Sequence, residues 1–236
     1  MGEVADVLVV VAHPDDETLF FGGAIDARPR GTTDLVVVTD GGFLGEAPRR
    51  RAALARAAEA LGIRHVFTLE HPDTPSLHLP VDEIRVALTA LHGRQRYREV
   101  WTHNPHGEYG HLAHADVSLA TLRAFSGHVD VDVFVVADLL PARRVVSLSP
   151  EAHARKLERL ATFYAEDLPT IMGTVPLGPG EAVTQVSLAE AELVYRLVAG
   201  YDLPSAAVLD ATLQTYAGLR PMLAAIAARA HPSFAR

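Results

Sequence analysis

The chain has 236 residues, 49% of them hydrophobic, and a formal net charge of -8, which fits one α/β domain with a sizeable core. The negative charge argues against a nucleic-acid or anionic-membrane partner, because both need a basic face. Cysteine is absent, so a metal would be held by carboxylates and by some of the 12 histidines. The acidic start, MGEVAD, and the lack of an apolar run of ~18 residues predict neither a signal peptide nor a membrane-spanning helix. We therefore expect a single cytoplasmic domain over residues 1–236, with its oligomeric state left open.

Short apolar runs alternate with longer helical patterns along the first two thirds of the chain. The apolar runs lie at residues 7–11, 35–39, 65–69, 99–102 and 131–137. Helices are predicted over 47–61, closed by Gly62, over 81–92, closed by Gly93, and over 149–168, where Ser149 is the cap and Pro150 the first helical residue. This alternation predicts an α/β fold in which helices flank a buried, parallel sheet.

The pattern becomes weaker after Pro169. The stretch GTVPLGPGE, residues 173–181, is interpreted as an exposed loop. Helical patterns near 188–198 and 206–230 are expected to pack on the flank of the sheet. No internal repeat and no long linker separates a second domain.

The first apolar run leads directly into a cluster of polar residues. These are His13, Asp15, Asp16 and Glu17, with Pro14 among them. Open α/β sheets bind ligands at the carboxyl ends of their strands, and Pro14 suits the start of a following helix. Helix capping would explain the acids, which are favourable at a helix N-terminus, but not the histidine. We predict metal or catalytic chemistry here, with Glu17 serving as a hydrogen-bond acceptor and not as a ligand.

A second polar cluster follows the fourth predicted strand. His111 and His114 lie at positions i and i+3 where a new helix begins, so both imidazoles face the same side of that helix. Beside His13 and Asp16 they could complete a site with three protein ligands and one open position. That arrangement is typical of catalytic zinc.

Other site types have less support in the sequence. His103 and His106 are interpreted as surface histidines. The chain has no G-x-G-x-x-G motif and no G-x-x-x-x-G-K-[ST] motif, which disfavours a nucleotide site. It also lacks a G-x-S-x-G elbow, the usual marker of a serine hydrolase.

The motifs AHPDDE and GEYGHLAH, with TDGG after the second predicted strand, resemble those of the LmbE-like, or phosphatidylinositol-glycan class L, family of zinc-dependent de-N-acetylases. The resemblance implies a Rossmann-like sheet and removal of an N-acetyl (acyl) group from an N-acetylglucosamine-type amino sugar. Such a substrate could be a thiol-sugar, glycolipid or antibiotic intermediate.

The resemblance also implies roles for individual residues. The implied zinc ligands are His13, Asp16 and His114. The implied general base is Asp15, the transition-state donors are Tyr109 and His111, and the substrate-binding residue is Arg50. Zinc would activate the attacking water while Asp15 accepts its proton, and a protonated His111 could deliver a proton to the departing amine. Ferrous iron or cobalt would also suit these ligands.

The sequence departs from the family pattern at two positions and in one segment. Ala113 and Ala53 stand where many members carry an acid, and the segment after Lys156 reads FYAE in place of H-x-S-Q. Without an acid at position 113, the pKa of His111 should be lower unless Glu108 or another acid replaces it. We interpret these changes as retained chemistry with altered substrate choice. Two alternatives remain: an amidase acting on a thiol-sugar conjugate, and a catalytically silent metal- or sugar-binding module.

Overall fold

One seven-stranded sheet organises the chain in the computed structural model, which describes residues 6–74, 78–135, 141–169, 177–201 and 206–216. The strands are β1 (Val7–Val11), β2 (Thr33–Thr39), β3 (Val66–His71), β4 (Glu99–Thr102), β5 (Asp130–Val135), β6 (Arg144–Ser147) and β7 (Gly180–Thr184). Their order across the sheet is β3-β2-β1-β4-β5-β7-β6. The first five strands pair in parallel, and β7 pairs antiparallel with both β5 and β6. The predicted α/β fold with a mostly parallel sheet is therefore confirmed.

Helices cover both faces of this sheet. They are α1 (Asp16–Asp26), α2 (Ala47–Leu61), α3 (Val81–Arg94), α4 (Leu112–Phe125), α5 (Pro150–Phe163), α6 (Leu188–Val198) and α7 (Ala206–Thr212). One apolar core joins the sheet to α3, α4, α6 and α7, and the other joins it to α1, α2 and α5. Alternate residues of β1 enter the two cores, since Leu8 and Val10 face one and Val9 faces the other. In the ranges given above, no helix is both long and apolar enough to cross a membrane.

Several predicted boundaries are confirmed. The strands at 7–11 and 99–102 and the helix at 188–198 have the predicted bounds. Helix α2 ends at Gly62, which has the left-handed conformation of a C-terminal cap (φ 72°). Helix α5 begins after Ser149, whose hydroxyl accepts the N–H of Ala152 at 3.2 Å.

Other predictions were wrong or incomplete. Helix α3 continues through Gly93 and is capped by Gln95 in an extended conformation, so no left-handed glycine is needed there. Of the supposed exposed loop at 173–181, residues 173–176 lie outside the described ranges. At its end, Gly180 and Glu181 begin β7, where they pair with Ser147 and Val146, and Glu181 is buried against Lys156. Neither β6 nor β7 was predicted. The predicted residues 136–137 and 217–230 lie outside the described ranges.

Gly23 of α1 allows Leu148, and Glu181 of β7, to lie close to that helix. The Glu181 carboxylate accepts the backbone N–H groups of Gly23 at 2.8 Å and Ala24 at 2.6 Å, and its third partner is the Lys156 ammonium at 2.7 Å. A Cβ on Gly23 would lie 2.6 Å from Leu148 Cδ1, whereas a Cβ on Gly22 would meet no atom closer than 3.5 Å. Close packing therefore requires glycine at position 23 and not at position 22.

We predict opposite effects of alanine at these two positions. Gly23→Ala should lower the free energy of unfolding by about 1–3 kcal/mol, because Leu148 and Glu181 must move. Gly22→Ala should leave stability unchanged or raise it by up to ~1 kcal/mol, because alanine favours the helix. Urea denaturation of both variants measures this difference. Equal stabilities would contradict the close approach of β7 to α1.

Candidate active site

The candidate site lies where the direction of strand crossover reverses. From β1 the chain moves outward to β2 and β3, and from β4 it moves in the opposite direction to β5, while β1 and β4 are direct neighbours. Ligands of open α/β sheets bind at such a switch point, at the carboxyl ends of the strands. The segments that follow β1 and β4 carry the two histidine motifs, so parallel pairing brings them to one edge.

Three donor atoms form a nearly equilateral triangle at this edge. His13 Nδ1 is 3.2 Å from His114 Nε2 and 3.4 Å from Asp16 Oδ2, and the last two atoms are 3.5 Å apart. Tetrahedral zinc, with bonds of about 2.0–2.1 Å, places its ligands roughly 3.3–3.4 Å apart. The donor set predicted from the sequence thus fits a divalent cation. His111 also lies within 4.8 Å of His13 and His114 and is an alternative donor.

The outward nitrogen of each of these two imidazoles faces a carboxylate. His114 Nδ1 is 2.7 Å from Glu108 Oε2, and His13 Nε2 is 3.7 Å from Asp73 Oδ1. A carboxylate on that side favours a proton there and leaves the other nitrogen free for a metal. Burial and then His103 lower the pKa of His114, so its neutral, metal-binding form is favoured.

His103 and His106 are buried, so their interpretation as surface residues was wrong. Both are less than a tenth exposed. Because β4 ends at Thr102, residue 103 emerges at the same sheet edge as His13, and this position after a strand was the signal that the sequence offered. His106 Nδ1 lies 2.8 Å from the Tyr216 hydroxyl.

Two observations bear on the protonation of His103. Burial lowers its pKa, but Glu108 and Asp16 outweigh that effect and raise the pKa to about 10. In contrast, the Ala12 N–H lies 3.0 Å from His103 Nε2. It can donate a hydrogen bond to that nitrogen only if Nε2 carries no proton. We favour the neutral ring when a cation neutralises Asp16, because the carboxylate then attracts the proton less. In either form, Nδ1–H faces Glu108 at 3.1 Å.

Asp15 is held beside the donor triangle in an unusual backbone conformation. Its φ of 120° is rare for a residue with a side chain, and its N–H is bound by Glu17 at 3.0 Å. Its carboxylate accepts from Arg50 at 2.6 Å, and the same guanidinium group also binds the Pro14 carbonyl at 2.6 Å. Burial raises the pKa of Asp15 well above its usual value, although Arg50 opposes this.

Tyr109 and His111 border the same triangle. The Tyr109 ring meets those of His111 and His114 edge to face, at centroid distances of 5.8 and 5.7 Å, and is 46% exposed. His111 stacks on His114 at 4.4 Å. Burial, followed by His114 and His13, lowers the pKa of His111 to about 3, in the direction expected without an acid at position 113. Glu108 does not replace that acid, because it contacts His103 and His114.

The remaining polar motifs support the loops around the site. Glu17 accepts hydrogen bonds from Asp15 N–H, Thr18 and Tyr164, as expected for a hydrogen-bond acceptor. In TDGG, Gly41 has a φ of 63°, and a Cβ there would lie 3.0 Å from Pro14. This glycine therefore lets two site loops meet.

Asp73 was missed by the sequence analysis, although it also follows a strand. It lies after β3, and its backbone N–H is bound by Asp40 Oδ1 at 3.0 Å. Its carboxylate faces His13 and Arg50, each at 3.7 Å. Asp73 thus joins two of the residues that were predicted for the site.

Together the fold and the donor triangle define an α/β protein with a candidate metal centre at the switch point of its sheet. Residues 8–125, half of the chain, match the PIG-L family, which is described as GlcNAc-PI de-N-acetylase. The chain belongs to this family.

Two comparisons place the chain among known proteins. The 1D-myo-inositol 2-acetamido-2-deoxy-alpha-D-glucopyranoside deacetylase of Mycolicibacterium smegmatis is 32% identical over 151 residues, 50% of this chain and 52% of that protein. The corresponding deacetylase of Mycobacterium sp. (strain KMS) is 34% identical over 154 residues, 51% of this chain and 50% of that protein. The chain therefore spans about half the length of the curated relatives that it matches.

Among solved structures, the fold resembles that of N,N'-diacetylchitobiose deacetylase from Pyrococcus horikoshii. The TM-score is 0.60 at 19% identity, over 78% of this chain and 85% of that one. At this identity the likeness shows the fold alone.

We predict that His114→Ala will reduce bound zinc from about one ion per chain to a small fraction, because one corner of the triangle is lost. His106→Ala is the matched control, since this histidine is also buried but contacts Tyr216 instead of the triangle. Elemental analysis after dialysis against zinc measures the content of both variants. Full zinc occupancy in His114→Ala would remove this residue from the proposed ligand set.

Proposed function

We propose that this protein is a metal-dependent hydrolase that removes an N-acetyl (acyl) group from an N-acetylglucosamine-type amino sugar. The observation that carries the proposal is the triangle of donor atoms from His13, Asp16 and His114. Asp15, which directly precedes Asp16 in the chain, provides a further carboxylate. Family membership and the deacetylase relatives support the reaction type.

Zinc is the metal we propose, held by His13, Asp16 and His114. It would supply Lewis-acid activation of a water molecule and of the acyl carbonyl. Two imidazoles and one carboxylate also suit Fe²⁺ or Co²⁺, so metal availability contributes to the choice.

Asp15 is the proposed general base. It is not a corner of the donor triangle, and its pKa is raised by burial, towards the range where a base is effective near neutral pH. Because the pKa of His111 is lowered to about 3, its ring is neutral at pH 7 and is a poor source of a proton. We therefore assign proton delivery to the leaving nitrogen to Asp15, which gains a proton when water attacks.

Tyr109 and His111 are the proposed donors to the oxyanion of the transition state. Burial and then Asp16 raise the pKa of Tyr109, so its hydroxyl remains a hydrogen-bond donor across the working pH range. Neutral His111 retains one N–H and can donate as well. Preorganised donors of this kind stabilise developing negative charge without further reorganisation.

Arg50 is the proposed substrate contact. Besides Asp15, its guanidinium group faces Asp73 and Asp167, each at 3.7 Å. Carboxylates and an arginine together can bind several hydroxyl groups of a sugar. We propose a small N-acylated amino sugar or glycoside as substrate, and the name of the relative, an acetamido sugar joined to inositol, is consistent with this class.

The fold by itself does not determine this activity. GalB, the 4-carboxy-2-hydroxymuconate hydratase of Pseudomonas putida KT2440, has the same fold with a TM-score of 0.53 at 17% identity, over 76% of this chain and 95% of that one. The activity must therefore be tested by measuring acetate release itself. This measurement also separates the alternatives of an amidase for thiol-sugar conjugates and a silent binding module.

The zinc-loaded protein should release acetate from a panel of N-acetylglucosaminides. Asp15→Asn should retain zinc but slow the reaction by about 10²- to 10⁴-fold, as expected for a positioned base. Asp16→Asn should lose zinc, because a corner of the triangle is altered. Cleavage of a cysteinyl amide of a thiol-sugar without acetate release would favour the amidase, and zinc binding without any turnover would favour the binding module.

A second prediction concerns the pH profile of kcat/KM. Arg50 lowers the pKa of Asp15, so Arg50→Gln should raise that pKa further. A base must be ionised, and activity is lost as the pH falls through its pKa, so the acid limb should move to higher pH. Arg51→Gln is the matched control, since Arg51 also lies on α2 but pairs with Glu70. An unmoved limb in Arg50→Gln would contradict the role of Asp15.

A further inference from the structure

Glu108 has a backbone conformation that its residue type disfavours. It lies in the short turn Gly107–Gly110, between β4 and α4, with a φ of 54°. Its side chain is buried, although a carboxylate is costly to bury without partners. Strain in a residue of this kind persists only where the surroundings fix it, and it often marks a functional position.

The Glu108 carboxylate is fully used by donors from the site. Oε2 lies 2.7 Å from His114 Nδ1 and 3.1 Å from His103 Nδ1, and Oε1 accepts the Asn104 N–H at 2.9 Å. The Glu108 N–H in turn binds Asn104 Oδ1 at 2.9 Å. Two hydrogen bonds between Glu108 and Asn104, one through each side chain, therefore hold this turn in its left-handed conformation.

These contacts form a continuous link between the two halves of the site. The Ala12 N–H binds His103 Nε2 at 3.0 Å, and the His103 and His114 rings stack at a centroid distance of 3.9 Å. Ala12 directly precedes His13 in the chain. Hydrogen bonds therefore connect the end of β1 to the first turn of α4 through His103 and Glu108.

We propose that Glu108 is a positioning residue that fixes the His114 ring with Nε2 towards the metal and, through His103, ties α4 to the end of β1. The inference rests on the metal site of the proposed function. Glu108 acts through His114 and does not touch the donor triangle itself. Removing its charge should loosen metal binding, because ligand rings are oriented by such outer hydrogen bonds.

The test compares two buried glutamates. Glu108→Gln keeps the size of the side chain but replaces one acceptor oxygen with a donor. Glu190→Gln is the matched control, since Glu190 is equally buried and accepts the Tyr216 N–H at 2.6 Å, with no contact to the triangle. The zinc dissociation constant, measured by competition with a chromophoric chelator, should rise about 10- to 100-fold in Glu108→Gln. The absorption bands of bound Co²⁺ should shift only in that variant.

Folded Glu108→Gln with the zinc affinity and Co²⁺ spectrum of the wild type would overturn the positioning role. A wild-type protein that binds no zinc would overturn the proposed metal site itself, so the two failures are distinguishable. If Glu108→Gln does not fold, long-range ¹H–¹⁵N correlations of the zinc-loaded wild type decide instead. They should show the proton of His114 on Nδ1, and a proton on Nε2 would contradict the proposal.

Discussion

The parallel pairing of β1 with β4 is the constraint on which the candidate site depends. The pairing of Val10 with Thr102 means that the chain leaves both strands at one level of the sheet edge. His13 and His114 are about a hundred residues apart in the chain, yet their facing nitrogens lie 3.2 Å from each other. Changes that alter this register would displace one donor relative to the other, and so would changes in the segments that lead from β1 to His13 and from β4 to His114. The Thr102 hydroxyl supports this register, because it donates to the Val10 carbonyl at 2.9 Å.

The electrostatics of the site follow from that convergence. Asp15, Asp16 and Glu108 are each less than a tenth exposed, and buried carboxylates need compensating partners. Arg50 compensates Asp15, and the two imidazoles His103 and His114 hold the pKa of Glu108 to about 2, against the effect of burial. Ring nitrogens of His13, His103 and His114 lie 3.4, 3.3 and 3.5 Å from Asp16 Oδ2. A divalent cation is the partner that would satisfy such a set of converging lone pairs.

The sequence predicted the parts of the molecule that local rules determine. Asp16 and Glu17 lie in the first turn of α1, and Gly62 and Ser149 cap their helices as predicted. His114 lies in the first turn of α4, whereas His111 precedes that helix in an extended conformation. Long-range contacts decided the rest. Glu181 belongs to β7 because Lys156 and α1 supply its partners from distant segments, and His103 is buried because α4 and Glu108 cover it. No local pattern contains the partners of Glu181, whereas for His103 the position directly after β4 was a local indication.

Two of the three departures from the family pattern, Ala53 and the FYAE segment, lie near Arg50. Ala53 lies on α2 and packs into the apolar core, so α2 offers no acid to Arg50 at this position. The carboxylates around Arg50 come instead from Asp15, Asp73 and Asp167. Asp167 immediately follows the altered FYAE segment, so an acid next to one departure lies near Arg50, where the other departure lacks an acid. We infer altered substrate recognition from these two departures, because they lie near the proposed substrate contact, whereas all three proposed donors remain in the triangle.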